Sequence, residues 1–192
     1  MTRRYRARRR LYVLVYEGKN NKTEKIYFQH YNVGEDFVIK DDLSELKGTD
    51  PASLYAYAES QISAYNLESS LGDHVFIVSD IDHRQDHVSF IKKHAKANKM
   101  ITWVASFPCF EQWILMHFED PDFSLTGDEV IKRLRLNYIT NYDKNRDVYP
   151  QIESKRTEAK ERCSEYHSKH RIPGTISVGE LVSLLEKKTK IK

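Results

Sequence analysis

Short apolar runs alternate along this chain with longer segments in which apolar residues recur every three or four positions, a pattern that predicts strands interleaved with helices. Leu11-Tyr-Val-Leu-Val-Tyr16 is continuous and β-rich, as expected of a strand covered on both faces in a parallel sheet. It ends at Glu17-Gly18. A Lys/Asn-rich loop follows, then a predicted helix over 23–31 and a short strand, Phe37-Val-Ile-Lys40. Residues 51–67 read as a helix with Asp50 as N-cap and Pro51 at the first helical position. His74-Val-Phe-Ile-Val-Ser79 is the second clear buried strand, and it runs directly into Asp80-Ile81-Asp82. A helix over 83–97 and a strand over 101–105 come next. The helix predicted over 108–118 carries Phe110, Trp113, Ile114, His117 and Phe118 on its apolar face. From Asp128 onward the pattern predicts helices only, at about 128–136, 150–170 and 178–188.

Alternation of this kind predicts an α/β fold, a mostly parallel sheet flanked by helices and joined by right-handed crossovers. The expected organisation is a basic arm over 1–10, an α/β core over 11–125, and a helical extension over 126–192 packed on that core. Scarcity of Gly (7) and Pro (5) argues against long irregular stretches.

Charge divides the chain unevenly. Arg3, Arg4, Arg6, Arg8, Arg9 and Arg10 supply six of the 31 basic residues, which leaves 25 against 28 acidic ones in the rest. A basic arm on a mildly acidic body suits local contact with nucleic-acid phosphates, and equally a solubilising, disordered terminus. The apolar run at 11–16 is shorter than the roughly 7–15 residues of a secretory signal's core and leads into Glu17. No segment approaches the ~20 apolar residues of a membrane span, so a cytoplasmic protein without a membrane partner is expected. Cys109 and Cys163 form no metal-binding pair and are expected to be reduced thiols.

Residues that do chemistry in open α/β sheets gather where strands end at their carboxyl edge. Glu17 follows the first strand, while Asp80 and Asp82 close the third, and alternate residues of an extended chain face the same side. Closely spaced carboxylates repel unless a cation neutralises them, and such hard oxygen donors suit Mg²⁺ or Mn²⁺. A metal held there can polarise a phosphodiester and orient a nucleophile, with Glu17 moving the proton. Asp80 and Asp82 could instead simply cap the helix that follows.

The pairing of strand–Glu17-Gly18 with strand–Asp80-Ile81-Asp82 resembles the Toprim domain of topoisomerases, primases and OLD-type nucleases. Tyr16-Glu17-Gly18, Thr23-Glu24-x-x-Tyr27-Phe28, Asp80-x-Asp82, Ser106-Phe-Pro-Cys-Phe-Glu-Gln-Trp-Ile-Leu-Met-His-Phe118 and Gly174-Thr175 before an apolar terminal helix together resemble the RloB-like family, a Toprim group of bacterial phage-defence loci. The resemblance implies a Toprim-like fold, Mg²⁺ dependence, cleavage of RNA such as tRNA or of DNA, and partnership with an AAA or ABC-type ATPase. It also implies Glu17 as general acid/base with Asp80 and Asp82 as metal ligands. The loop Lys19-Asn-Asn-Lys22 is longer than the family usually has at that place, which bears on Glu24 as a further ligand.

Glu111 fits either a ligand or an anchor for the metal's surroundings, or an exposed carboxylate favoured by a helix N-terminus. Lys19, Lys22 and Lys25 fit phosphate contacts beside Glu17 and fit solvent equally well. His117 is expected to be a hydrogen-bonded core residue, His83 and His87 a solvated helix start, and Cys109 a small buried side chain. A non-catalytic module that holds nucleic acid or docks on an ATPase is the alternative to the nuclease. A homo-oligomer remains compatible with the sequence.

Overall fold

The computed structural model describes residues 8–17, 22–33, 36–42, 44, 46–81, 85–122, 124–170 and 172–187, with Lys22 and His170 described by backbone alone. Its centre is a five-stranded, all-parallel sheet built from β1 (Arg10–Tyr16), β2 (Phe37–Lys40), β3 (His74–Asp80), β4 (Ile101–Ser106) and β5 (Thr175–Ser177), in the order β2-β1-β3-β4-β5. Helices on both faces make this an α/β, Rossmann-like architecture with a largely helical C-terminal segment.

The near-continuous apolar sequences of β1 and β3 follow from their central positions. Alternate residues serve two separate cores. Leu14, Tyr16, Phe76 and Val78 face α1 (Lys22–Gln29), α4 (Glu111–Leu115), α5 (Gly127–Asn137), α7 (Arg156–His170) and α8 (Val178–Glu186), meeting Phe28, Trp113, Leu134, Cys163 and Leu181. Val13, Val15, Val75 and Ile77 face α2 (Pro51–Ala64) and α3 (Gln85–His94), meeting Leu54, Ala58 and Ile91. A slip of one residue in either strand would exchange the two side-chain sets, so register is strongly specified.

Local signals hold the element ends. Asp50 accepts the backbone N–H groups of Ala52 and Ser53 at 3.1 and 3.0 Å, with Pro51 opening α2. Thr126 with Glu129 and Ser177 with Glu180 form capping boxes at α5 and α8. At the amino edge of the sheet the buried Asp73 carboxylate accepts Leu11 N at 2.8 Å, Glu68 N at 2.9 Å and Arg8 Nη1 at 3.0 Å, which ties the start of β1 to the turn before β3.

Three expectations need correction. Residues 175–177 form β5, paired in parallel with β4, where only helices were expected; three residues are too few to display a period of two. The helix expected over 150–170 is divided into α6 (Tyr149–Ile152), a 3₁₀ turn over Glu153–Lys155, and α7. The segment expected to be one amphipathic helix over 108–118 contains only α4, and all five of its residues are buried, because α5 and α7 pack on it as well as the sheet. Among the described residues no helix is long and apolar enough to cross a membrane.

Candidate active site

In a sheet ordered 2-1-3-4-5 the chain leaves β1 in one direction and β3 in the other, and the crevice between them at the carboxyl edge is the place where such folds bind ligands. α1 leaves β1 on one face of the sheet and α3 leaves β3 on the opposite face, so the two loops diverge there. Glu17 and Asp80 stand on either side of this crevice. Glu17 N donates to Val78 O at 3.2 Å, which continues the β1–β3 ladder to the carboxylate itself. Its Oε2 accepts Ser79 Oγ at 2.9 Å and Asp80 N at 3.1 Å. Asp80 Oδ1 accepts Ser106 Oγ at 2.7 Å from the end of β4.

Two further carboxylates close on this pair. Glu24, in the first turn of α1, and Glu111, the first residue of α4, are both buried, and Glu111 is only 1% exposed. Burial removes the exposed-helix alternative for Glu111. Its Oε1 lies 3.2 Å from the Tyr142 hydroxyl, 3.3 Å from Thr23 Oγ1 and 3.3 Å from Lys144 Nζ. The single Thr23 hydroxyl proton is shared between Glu111 and Lys144 O, at 3.1 Å. Among the described residues, Lys144 is thus a positive group set against these four acids.

The electrostatics follow from that imbalance. Burial is the main cause that pushes Asp80 up to about 7; the charges of Glu111 and Glu17 add to it, and the Ser106 hydrogen bond and Lys144 oppose it. Glu24 is pushed up to about 8, again chiefly by burial and then by the Asp80 charge. Burial opposes protonation of Lys144, yet the Glu111 carboxylate beside it raises its pKa overall. Buried oxygens whose ionisation is opposed by burial and mutual repulsion are the donors that a hard divalent cation stabilises, so the chemistry of the set fits Mg²⁺ or Mn²⁺. Among the described residues, no three His, Cys, Asp or Glu side chains are grouped to hold a metal ion. Asp82, the third expected ligand, lies outside the described residues, as do Lys19, the Lys22 side chain, Arg3, Arg4, Arg6 and His83.

The other expected site residues are placed apart. Lys25 Nζ lies 3.4 Å from Asp41 O and 3.6 Å from Asp41 Oδ1, at the exit of β2. Arg8, Arg9 and Arg10 precede or open β1, so they sit at the amino edge of the sheet, a strand of seven residues away from Glu17. At roughly 3.3 Å per residue that separation is on the order of 20 Å. His87 is buried rather than solvated. His117 is a core residue whose Nδ1 donates to Trp113 O at 2.9 Å. Cys109 is buried, and burial followed by the neighbouring Glu111 and Asp80 charges pushes its thiol well above the ordinary range, which makes it a poor nucleophile.

Sequence reasoning gave no site role to Thr23, Ser79, Ser106, Tyr142 or Lys144, although Thr23 and Ser106 open two of the motifs that carry the family resemblance. Ser79 and Ser106 had a usable signal, since each is a hydroxyl at the carboxyl end of a buried strand. Tyr142 and Lys144 had none, because they belong to a polar stretch between α5 and α6 with no periodicity.

A family model described as RloB-like protein matches residues 12–185. No curated protein and no solved structure gives a significant match.

Proposed function

The chain belongs to the RloB-like protein family, and from that premise we propose that it is a metal-dependent nuclease of the Toprim kind, cutting RNA such as tRNA, or DNA, as an effector of anti-phage defence with an ATPase partner. The observation that carries the proposal is the convergence of Glu17, Glu24, Asp80 and Glu111 at the β1/β3 crevice with Lys144 as the neighbouring counter-charge. Carboxylates so placed destabilise the folded chain, and a scaffold gains nothing from them.

Asp80 and Glu17, with Asp82, would hold Mg²⁺ or Mn²⁺. The ion would polarise the phosphodiester and lower the pKa of a bound water. Ser79 and the Asp80 N–H fix Glu17 Oε2, which orients that carboxylate to hold or move a proton at the edge of the crevice. Ser106 fixes the Asp80 rotamer through Oδ1. Lys144, half exposed, is placed to meet a phosphate oxygen while it balances Glu111.

A second reading, a non-catalytic module that holds nucleic acid or docks on an ATPase, is favoured by the lack of a three-ligand cluster among the described residues. One experiment separates the two. Wild-type protein, Glu17→Ala and Asp82→Ala are incubated with tRNA, single-stranded RNA and plasmid DNA in Mg²⁺, Mn²⁺ or EDTA, and thermal stability is followed under the same metal conditions. The nuclease cleaves only as wild type with metal, and metal at 100 times its Kd stabilises wild type by about 2.7 kcal/mol through binding linkage. Cleavage that survives both substitutions, or no metal stabilisation in wild type, removes the catalytic reading.

A further inference from the structure

Beside the carboxylates lies a cavity of about 270 Å³ that the proposed chemistry does not use. It opens at the carboxyl ends of β4 and β5, between α3, α4 and α7, and its walls include Phe107, Trp113, Met116 and Tyr166. The Phe107 and Tyr166 rings are nearly parallel, with centroids 6.4 Å apart and 23° between their planes. Among the described residues no Asp, Glu, Lys or Arg lines it. Ser106 lines it too, and the same hydroxyl donates to Asp80 at 2.7 Å. An occupant would therefore sit one side chain away from the carboxylate site.

Gln112 stands out among the polar residues of this wall, which also include Gln85, Ser106, His167 and Ser177. It is 1% exposed, and among the described residues neither its Nε2 nor its Oε1 has a hydrogen-bond partner. A buried amide left wholly unpaired is costly and rare in a native fold, and it marks a place where a ligand completes the pairing. A carboxamide offers one donor and one acceptor side by side, the pattern that complements the edge of a nucleobase. Aromatic walls, no Asp, Glu, Lys or Arg among the described lining residues, and a volume near the low end of the ~300–1,000 Å³ of small-ligand sites suit a single neutral ring better than a phosphate or an extended ligand.

We propose that this cavity takes one unstacked nucleobase of the nucleic acid whose backbone lies at Glu17 and Asp80, with Gln112 pairing to the base edge. It would then act as the pocket that selects where the strand is placed. Its functional meaning rests on the phosphodiester reading of the carboxylates, but base binding itself does not, so the two can fail separately.

The test is calorimetric titration of the full chain, in EDTA, with AMP, GMP, CMP, UMP and ribose 5-phosphate as probes. At least one nucleotide is expected to bind while ribose 5-phosphate does not, and Gln112→Leu is expected to weaken that binding at least tenfold. Gln112→Leu exchanges an unpaired amide for an apolar group of similar size, so a melting temperature equal to or above wild type verifies its fold. Val88→Phe, which projects a ring into the same space from α3, is a second variant expected to abolish binding. Binding no stronger than that of ribose 5-phosphate, or unchanged in Gln112→Leu, overturns the proposal. Base binding that persists in a protein that cuts nothing supports the pocket and removes the nuclease; cleavage without base binding does the reverse.

Discussion

Replacing Lys144 by Met keeps the aliphatic stem and removes the ammonium that faces Glu111. At the observed 3.3 Å, two unit charges attract by about 5 kcal/mol at an effective dielectric of about 20. That value is an upper bound, because the Lys144 side chain is 53% exposed and water screens it, whereas the Glu111 side chain is only 2% exposed. Exposed pairs contribute about 0–1 kcal/mol and the breaking of buried pairs costs about 3–5, which brackets this mixed pair near 2 kcal/mol. For a chain of this size the loss corresponds to a fall in Tm of roughly 4–8 °C. The cost should depend on Glu111. Glu111→Gln keeps an oxygen to accept from Thr23 and Tyr142, so a double-mutant cycle isolates the charge pair. Urea unfolding of wild type, Lys144→Met, Glu111→Gln and the double variant, without divalent metal, is expected to give a coupling of about 2 kcal/mol. A coupling below about 0.5 kcal/mol would refute the assignment of Lys144 as the counter-charge of the acidic cluster.

Three further outcomes are expected. Burial lowers His117 from its ordinary value of 6.5 to about 4, so the unfolded chain takes up a proton first as pH falls: stability is unaffected above 6.5 and is lost between 6.5 and 4, by about 2 kcal/mol at pH 5. His117→Asn keeps a donor for Trp113 O without titrating, and unfolding curves for the two proteins should diverge from their pH 7 difference by that amount at pH 5; parallel curves would show that His117 is not held neutral. Asp73→Ala strands the N–H groups of Leu11 and Glu68 and is expected to cost about 3 kcal/mol, read as a lower urea midpoint; a change under about 0.5 kcal/mol would mean that these bonds do not anchor the sheet edge. Neither Cys109 nor Cys163 should react rapidly with a thiol reagent until denaturant is added, since both are buried with raised pKa; fast labelling of either in the native protein would contradict its burial.

Much of this molecule was legible along the chain. The unbroken apolar runs of β1 and β3 announced strands covered on both faces, the Asp50-Pro51 pair marked the start of α2, and the breaks at Glu17 and Asp80 located carboxylates at strand ends. Each of these is a local fact, because a strand's burial on both faces and a helix's cap are written within a few residues. The three-residue β5 is not local in that sense, since only its ladder with β4 makes it a strand. Nor is α4, whose five buried positions reflect neighbours on every side.

The sequence by itself determined four of the five strands and most of the helices, that the sheet is parallel, and that Glu17 and Asp80 terminate two of its strands. Only the tertiary structure decided that those two strands are neighbours, so that residues 63 apart in sequence share a hydrogen bond. It likewise brought Glu24, Glu111 and Lys144 to them and put the Gln112 amide in a cavity with no partner among the described residues. Periodicity records which face of an element is apolar, but carries no record of what that face meets; adjacency is chosen by how the crossovers pack, and with it the charges and hydrogen bonds each side chain finds.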